Sequence, residues 1–185
     1  MLNRSKHKAG YTLIEVMAVV TILGILSGMG VAGLRSAIAN ARIKDAAYNV
    51  TAYMERTANE ARRMNAVLCV IREDDQTLAT YKGACDDATG DGNGGLEKID
   101  ELKLDSPNQI LQDNEVTAST ILGGTNLVTA GAEFSPRLGL SAAPSEGFIA
   151  IQYGSRGLYG AAAKVKSKNA FVPMMKFDEG SWFGI

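Results

Sequence analysis

The chain has 185 residues, 46% of them hydrophobic and 21% charged, which excludes an intrinsically disordered chain and leaves room for one folded domain plus a membrane segment. Its formal net charge of -1 conceals a basic head and an acidic body: residues 1 to 10 hold Arg4, Lys6 and Lys8 without an acid, and residues 73 to 115 hold twelve acids against three bases. The only histidine is His7, inside the head, so the body has no imidazole for a catalytic triad, a histidine-ligated metal or a histidine general base, which argues against an enzyme.

Residues 16 to 34, VMAVVTILGILSGMGVAGL, carry no charge. As a helix rising about 1.5 Å per residue they cover roughly 28 Å, close to a hydrocarbon core of about 30 Å. One membrane crossing is expected. Because the basic residues precede it, the positive-inside rule puts the amino end in the cytoplasm and everything beyond Arg35 outside. The run is longer than the apolar region of a secretory signal and no small-residue cleavage site ends it, which favours a retained anchor. Glu15 stands just before the run, where a carboxylate within a membrane helix costs about 2.5–3.5 kcal/mol on insertion scales and needs a partner.

Beyond Leu34 the pattern becomes amphipathic. Ile43, Ala47, Val50, Met54, Thr57 and Ala61 recur at steps of three and four, with Arg42, Asp45, Asn49, Arg56, Asn59 and Arg63 on the other faces. One helix is expected from about Tyr11 to Met64, roughly 80 Å long. Gly24 and Gly28 form a GxxxG pair, a close-approach face for neighbouring membrane helices.

From Ala66 the period changes. AVLCVIRE and QTLATYK, separated by Asp74 and Asp75, read as a hairpin. IDELKL, FIAIQYG, GLYGAAAKV and AFVPMMKF have strand-like content, with turn signals at Ser106-Pro107, Gly123-Gly124, Ser135-Pro136 and Gly154-Ser155. A helix followed by short antiparallel strands gives an α+β fold, with a long amino-terminal helix packed on a carboxyl-terminal sheet domain. Cys69 and Cys85 are sixteen residues apart, a spacing that fits no zinc or redox motif. Two readings stand: a disulfide worth about 3 kcal/mol in an oxidising compartment, or two separate thiols, one buried in a strand.

The stretch ACDDATGDGNGGLE must be a loop. Its oxygen-bearing residues partly resemble a calcium loop of the EF-hand type, which would use Asp87, Asp91 and Asn93 with Glu97 or Asp100 closing the shell. The twelfth position from Asp87 is Lys98 rather than glutamate, and a polar hairpin loop accounts for the composition without a ligand. The run Arg156, Lys164, Lys166 and Lys168 is the one candidate for DNA contact, and a solvated face is its ordinary reading.

A short basic leader, Gly10, then Tyr-Thr-Leu-Ile-Glu and an apolar run together resemble the class III signal of type IV pilins and type II secretion pseudopilins. The resemblance implies cleavage between Gly10 and Tyr11 by a prepilin peptidase, N-methylation of Tyr11, and pairing of Glu15 with the terminal amine of a neighbouring subunit. Tyr11 departs from the phenylalanine usual in the family, and Ala32 stands where many major pilins have proline. More diffusely, NEARRMNAVLCVI and EFSPRLGLSAAPSEGFIAIQYGSRG resemble the H-type pseudopilins and FimT-like minor pilins. The chain ends KFDEGSWFGI, without the arginine-rich end by which some FimT-like proteins bind DNA.

The domain organisation implied is a leader over 1–10, a membrane half-helix over 11–34, an amphipathic half-helix over 35–64 and a periplasmic β-rich domain over 65–185. The role implied is that of a minor subunit in the inner membrane, drawn into a filament. Its partners would be other pilin or pseudopilin subunits, the prepilin peptidase and an assembly platform. No cofactor is expected beyond the calcium reading, and DNA is not expected as a partner.

Overall fold

The computed structural model describes residues 11–85, 97–112, 124–142, 147–154, 159–177 and 182–185. The chain divides into two compact units, up to Ile38 and from Ala39 onward.

One helix, α1 (Leu13–Met64), runs without a break through both units. Its start is fixed by Thr12, whose Oγ1 accepts from the Glu15 N–H at 3.3 Å and whose carbonyl accepts from Val16 N–H at 3.3 Å. Its end is a Schellman arrangement. Asn65 takes the left-handed conformation at φ 48, its N–H donates to the Arg62 carbonyl at 3.2 Å, and Ala66 N–H donates to the Ala61 carbonyl at 3.2 Å.

In the first unit every side chain described from Tyr11 to Ile38 is exposed. The helix there is long and apolar enough to cross a membrane. Thr21 disposes of its hydroxyl locally, donating to the Met17 carbonyl at 2.8 Å.

In the second unit the helix buries one stripe: Ile43, Ala46, Ala47, Val50, Tyr53, Met54, Ala58 and Ala61. Five-stranded sheet A has the order β3 (Glu97–Lys103), β2 (Thr77–Lys82), β1 (Leu68–Arg72), β6 (Ala132–Ser135), β7 (Gly139–Ala142). Six-stranded sheet B comprises β11 (Phe183–Gly184), β10 (Ala170–Phe177), β9 (Tyr159–Ser167), β8 (Gly147–Tyr153) and β4 (Asn108–Ile110), with β5 (Thr125–Asn126) pairing β8 in parallel. A single turn, α2 (Leu127–Ala130), leads into β6.

One core joins the helical stripe to both sheets, through Leu68, Val70, Leu78 and Phe134 of sheet A and Ile149, Ile151, Ala161, Ala163, Phe171 and Met175 of sheet B. The many alanines on the helix and on β9 let backbone approach backbone closely. Strand β8 is buried on both faces: Phe148 and Ala150 turn away from the helix and meet Ala162, Leu111, Met174 and Trp182. That double cover is why GFIAIQY reads as a continuous apolar run rather than an alternation.

Candidate functional site

Glu15 is the third residue of α1, with Thr12 as its N-cap. The sequence Thr12-Leu13-Ile14-Glu15 is a capping box in spacing, and the hydroxyl-to-N–H half of that motif is made. A carboxylate in the first turn also faces the positive end of the helix dipole, worth about 0.3–1 kcal/mol in an exposed site. Glu15 thus has a favourable setting within its own chain. Thr12 was overlooked in the sequence reading, although the T-x-x-E spacing was available to find it. Tyr11 is 84% exposed, and Gly10 lies outside the described residues.

Along the same segment, a Cβ built on Gly24, Gly28, Gly30 or Gly33 would meet nothing within 4 Å. No packing inside this chain requires those glycines. Gly24 and Gly28, one helical turn apart, leave a shallow strip of backbone against which a neighbouring helix can lie closely. The helix passes Ala32 without interruption.

The remaining candidate residues are scattered over the second unit. Cys69, the second residue of β1, and Cys85, beyond β2, are disulfide-bonded and buried, with Ile71 packed beside them. Gly131 closes over the pair at φ +78; a Cβ there would stand 2.7 Å from Cys85 Sγ. Of the calcium candidates, Asp87, Asp91 and Asn93 lie outside the described residues. Glu97 is exposed at the start of β3. Asp100 is already engaged: Oδ2 takes the Arg56 guanidinium and Oδ1 accepts from Glu101 N–H at 2.9 Å. Of the DNA candidates, Arg156 lies outside the described residues, Lys164 is half-buried in β9, Lys166 is exposed where the β9–β10 register shifts, and Lys168 is exposed in the turn after it.

The acidic stretch is organised by lysine and by backbone. Lys98 pairs with Glu73 at 2.7 Å and Glu101 at 2.8 Å. The Lys98 ammonium, aided by the Tyr81 hydroxyl, holds the Glu73 carboxyl below its ordinary range, while Glu101 and Glu73 push Lys98 up. Asp74 is held down chiefly by the backbone N–H of Gln76 at 2.7 Å. Deeper in, Tyr53 of α1 shares a 2.6 Å hydrogen bond with Thr80 of β2, and burial raises the Tyr53 hydroxyl. These groups hold elements together, and none is arranged as a nucleophile with a base.

Residues 5–31 match the family model described as the prokaryotic N-terminal methylation motif, which is found in type IV pilin-like proteins. No curated protein and no solved structure matches the chain. The amino-terminal segment brings together the methylation motif, Glu15 in a capped first turn and an uncovered apolar helix.

Proposed function

We propose that the chain is a minor pseudopilin: a non-catalytic structural subunit at or near the tip of a type II secretion pseudopilus, supporting protein secretion. The methylation motif over residues 5–31 carries this proposal, because it is the signature of subunits that are cut, methylated and assembled. Prepilin peptidase cuts between Gly10 and Tyr11 and the new amine on Tyr11 is methylated. The uncovered face of α1 over residues 13–38, apolar apart from Glu15, Thr21, Ser27, Arg35 and Ser36, finds its cover first in lipid and then in the helices of other subunits. Glu15 of an incoming subunit meets the terminal amine of its neighbour, a pairing that a low-dielectric environment strengthens. The basic residues before the span favour an amino end in the cytoplasm, and the buried disulfide favours a periplasmic second unit.

Two measurements test the assignment. Mass spectrometry of the mature protein is expected to find an N-methylated Tyr11 at the amino end, and a chain still starting at Met1 in wild-type cells refutes it. Glu15→Ala is expected to leave the protein in the membrane while it fails to enter the filament. If the variant assembles normally, the span is only a tether, as in an anchored calcium-binding protein. Deleting the gene and following exoprotein secretion and DNA uptake in one strain separates a secretion subunit from a FimT-like minor pilin.

A further inference from the structure

The β6–β7 and β9–β10 turns are locked together. Leu140 N–H donates to the Lys168 carbonyl at 2.7 Å. Gly139, at φ +75, lies so close to the other turn that a Cβ there would overlap the Lys168 carbonyl and the Asn169 amide. Within the first tip, Leu138 N–H donates to Ser135 Oγ at 3.1 Å. Two hairpin tips from different sheets therefore form one rigid platform.

That platform presents an unusual set of side chains. Leu138 is 58% exposed, although the residues on either side of it in space are fixed by hydrogen bonds. Arg137, on the same tip, and Lys166 and Lys168, at the β9–β10 end, are all exposed. Residues 135–142 and 159–171 contain no Asp or Glu. The ion pairs among the described residues lie on α1, β1, β3 and the β1–β2 turn, and none of them engages Arg137, Lys164, Lys166 or Lys168.

A leucine so exposed on a hairpin tip contributes little to the core, and among the described residues no ion pair engages the cations of the two tips. An anionic bilayer surface matches both features. The aliphatic side chain enters the boundary between headgroups and acyl chains, while the long basic side chains lay their stems along it and keep their charges at the phosphates. Nucleic acid fits less well, since neither tip offers an aromatic ring to stack a base and leucine has no hydrogen bond to give.

We propose that the joined tips are a docking surface for an anionic phospholipid bilayer, with Leu138 as the inserting residue and Arg137, Lys166 and Lys168 on the headgroups. The test holds the full chain by its apolar segment in nanodiscs of phosphatidylcholine and measures co-flotation with added vesicles. Vesicles containing phosphatidylglycerol are expected to capture the protein, and vesicles of phosphatidylcholine alone are not. The triple variant R137Q/K166Q/K168Q is expected to lose roughly a hundredfold in apparent affinity and Leu138→Ser about tenfold, both with an unchanged thermal midpoint. Equal capture by neutral vesicles, no capture of the wild type, or full capture of Leu138→Ser overturns the proposal. Tighter binding of a DNA duplex than of anionic vesicles in the same buffer overturns it in favour of a nucleic-acid surface.

Discussion

Gly131 carries two constraints that a sequence cannot display together. Its backbone, at φ 78 and ψ 152, lies in a region that only glycine enters cheaply, and its missing side chain is the space taken by the Cys69–Cys85 pair. Replacing it with alanine is expected to lower stability by about 1–3 kcal/mol, the usual cost of one residue in a sparsely populated conformation. Urea denaturation of the full chain in detergent, followed by circular dichroism, measures this, and a midpoint equal to wild type refutes it. Glu15 is the opposite case. Its neighbours Thr12 and Tyr11 are adjacent in sequence, so the capping spacing and the processing junction could both be found without coordinates. Calcium and DNA belonged to the same kind of reading, but Asp87, Asp91, Asn93 and Arg156 lie outside the described residues. Asp100 is paired with Arg56 of α1.

Among the elements, α1 was the most legible, since its buried stripe repeats at helical spacing over many turns. Each of Ile43, Ala47, Val50, Met54, Thr57 and Ala61 is buried as that spacing requires. The longer strands β1, β2, β3, β8, β9 and β10 also fall where apolar content and turn residues put them. The short ones escaped: β4, β5, β6, β7 and β11 have two to four residues each, too few for alternation to show. Strand β3 illustrates how an edge is held. Its outer face is charged, and Lys98 fastens it to Glu73 across the hairpin. The Glu73 carboxyl is depressed, so its contribution is present above the ordinary glutamate value of about 4.3 and is lost as pH falls through the lower folded value. Lys98 is raised, so its contribution is complete below the ordinary lysine value of about 10.4. Lys98→Met is therefore expected to lower the thermal midpoint at pH 7, by an amount that shrinks as pH falls from about 4 toward about 3. A difference that persists unchanged at pH 3 shows that lost packing, not charge, was responsible.

At the scale of the molecule, the two units meet different physical demands. The second unit satisfies its apolar surface internally, by placing a helix against two sheets and a disulfide beneath a turn. The disulfide closes a loop of sequence separation 16, for which chain entropy predicts about 3 kcal/mol of stabilisation. The double variant Cys69→Ala/Cys85→Ala is expected to unfold at lower urea by that amount, and reductant is expected to move the wild type but not the variant. If the wild type does not respond to reductant, the cross-link contributes nothing to its stability. The first unit leaves its apolar surface uncovered within this chain, and that surface is what a membrane and then a filament can cover. The sequence by itself determined the apolar span, the methylation motif and the helix-then-strands order, because each depends on neighbours along the chain or on a repeating period. Only the tertiary structure decided that Cys69 meets Cys85 beneath Gly131, that β8 is buried on both faces, and that Leu138 and Lys168 share one platform. Those contacts join residues far apart in the chain, and which distant surfaces meet is set by how the sheets pack, a choice no local pattern records.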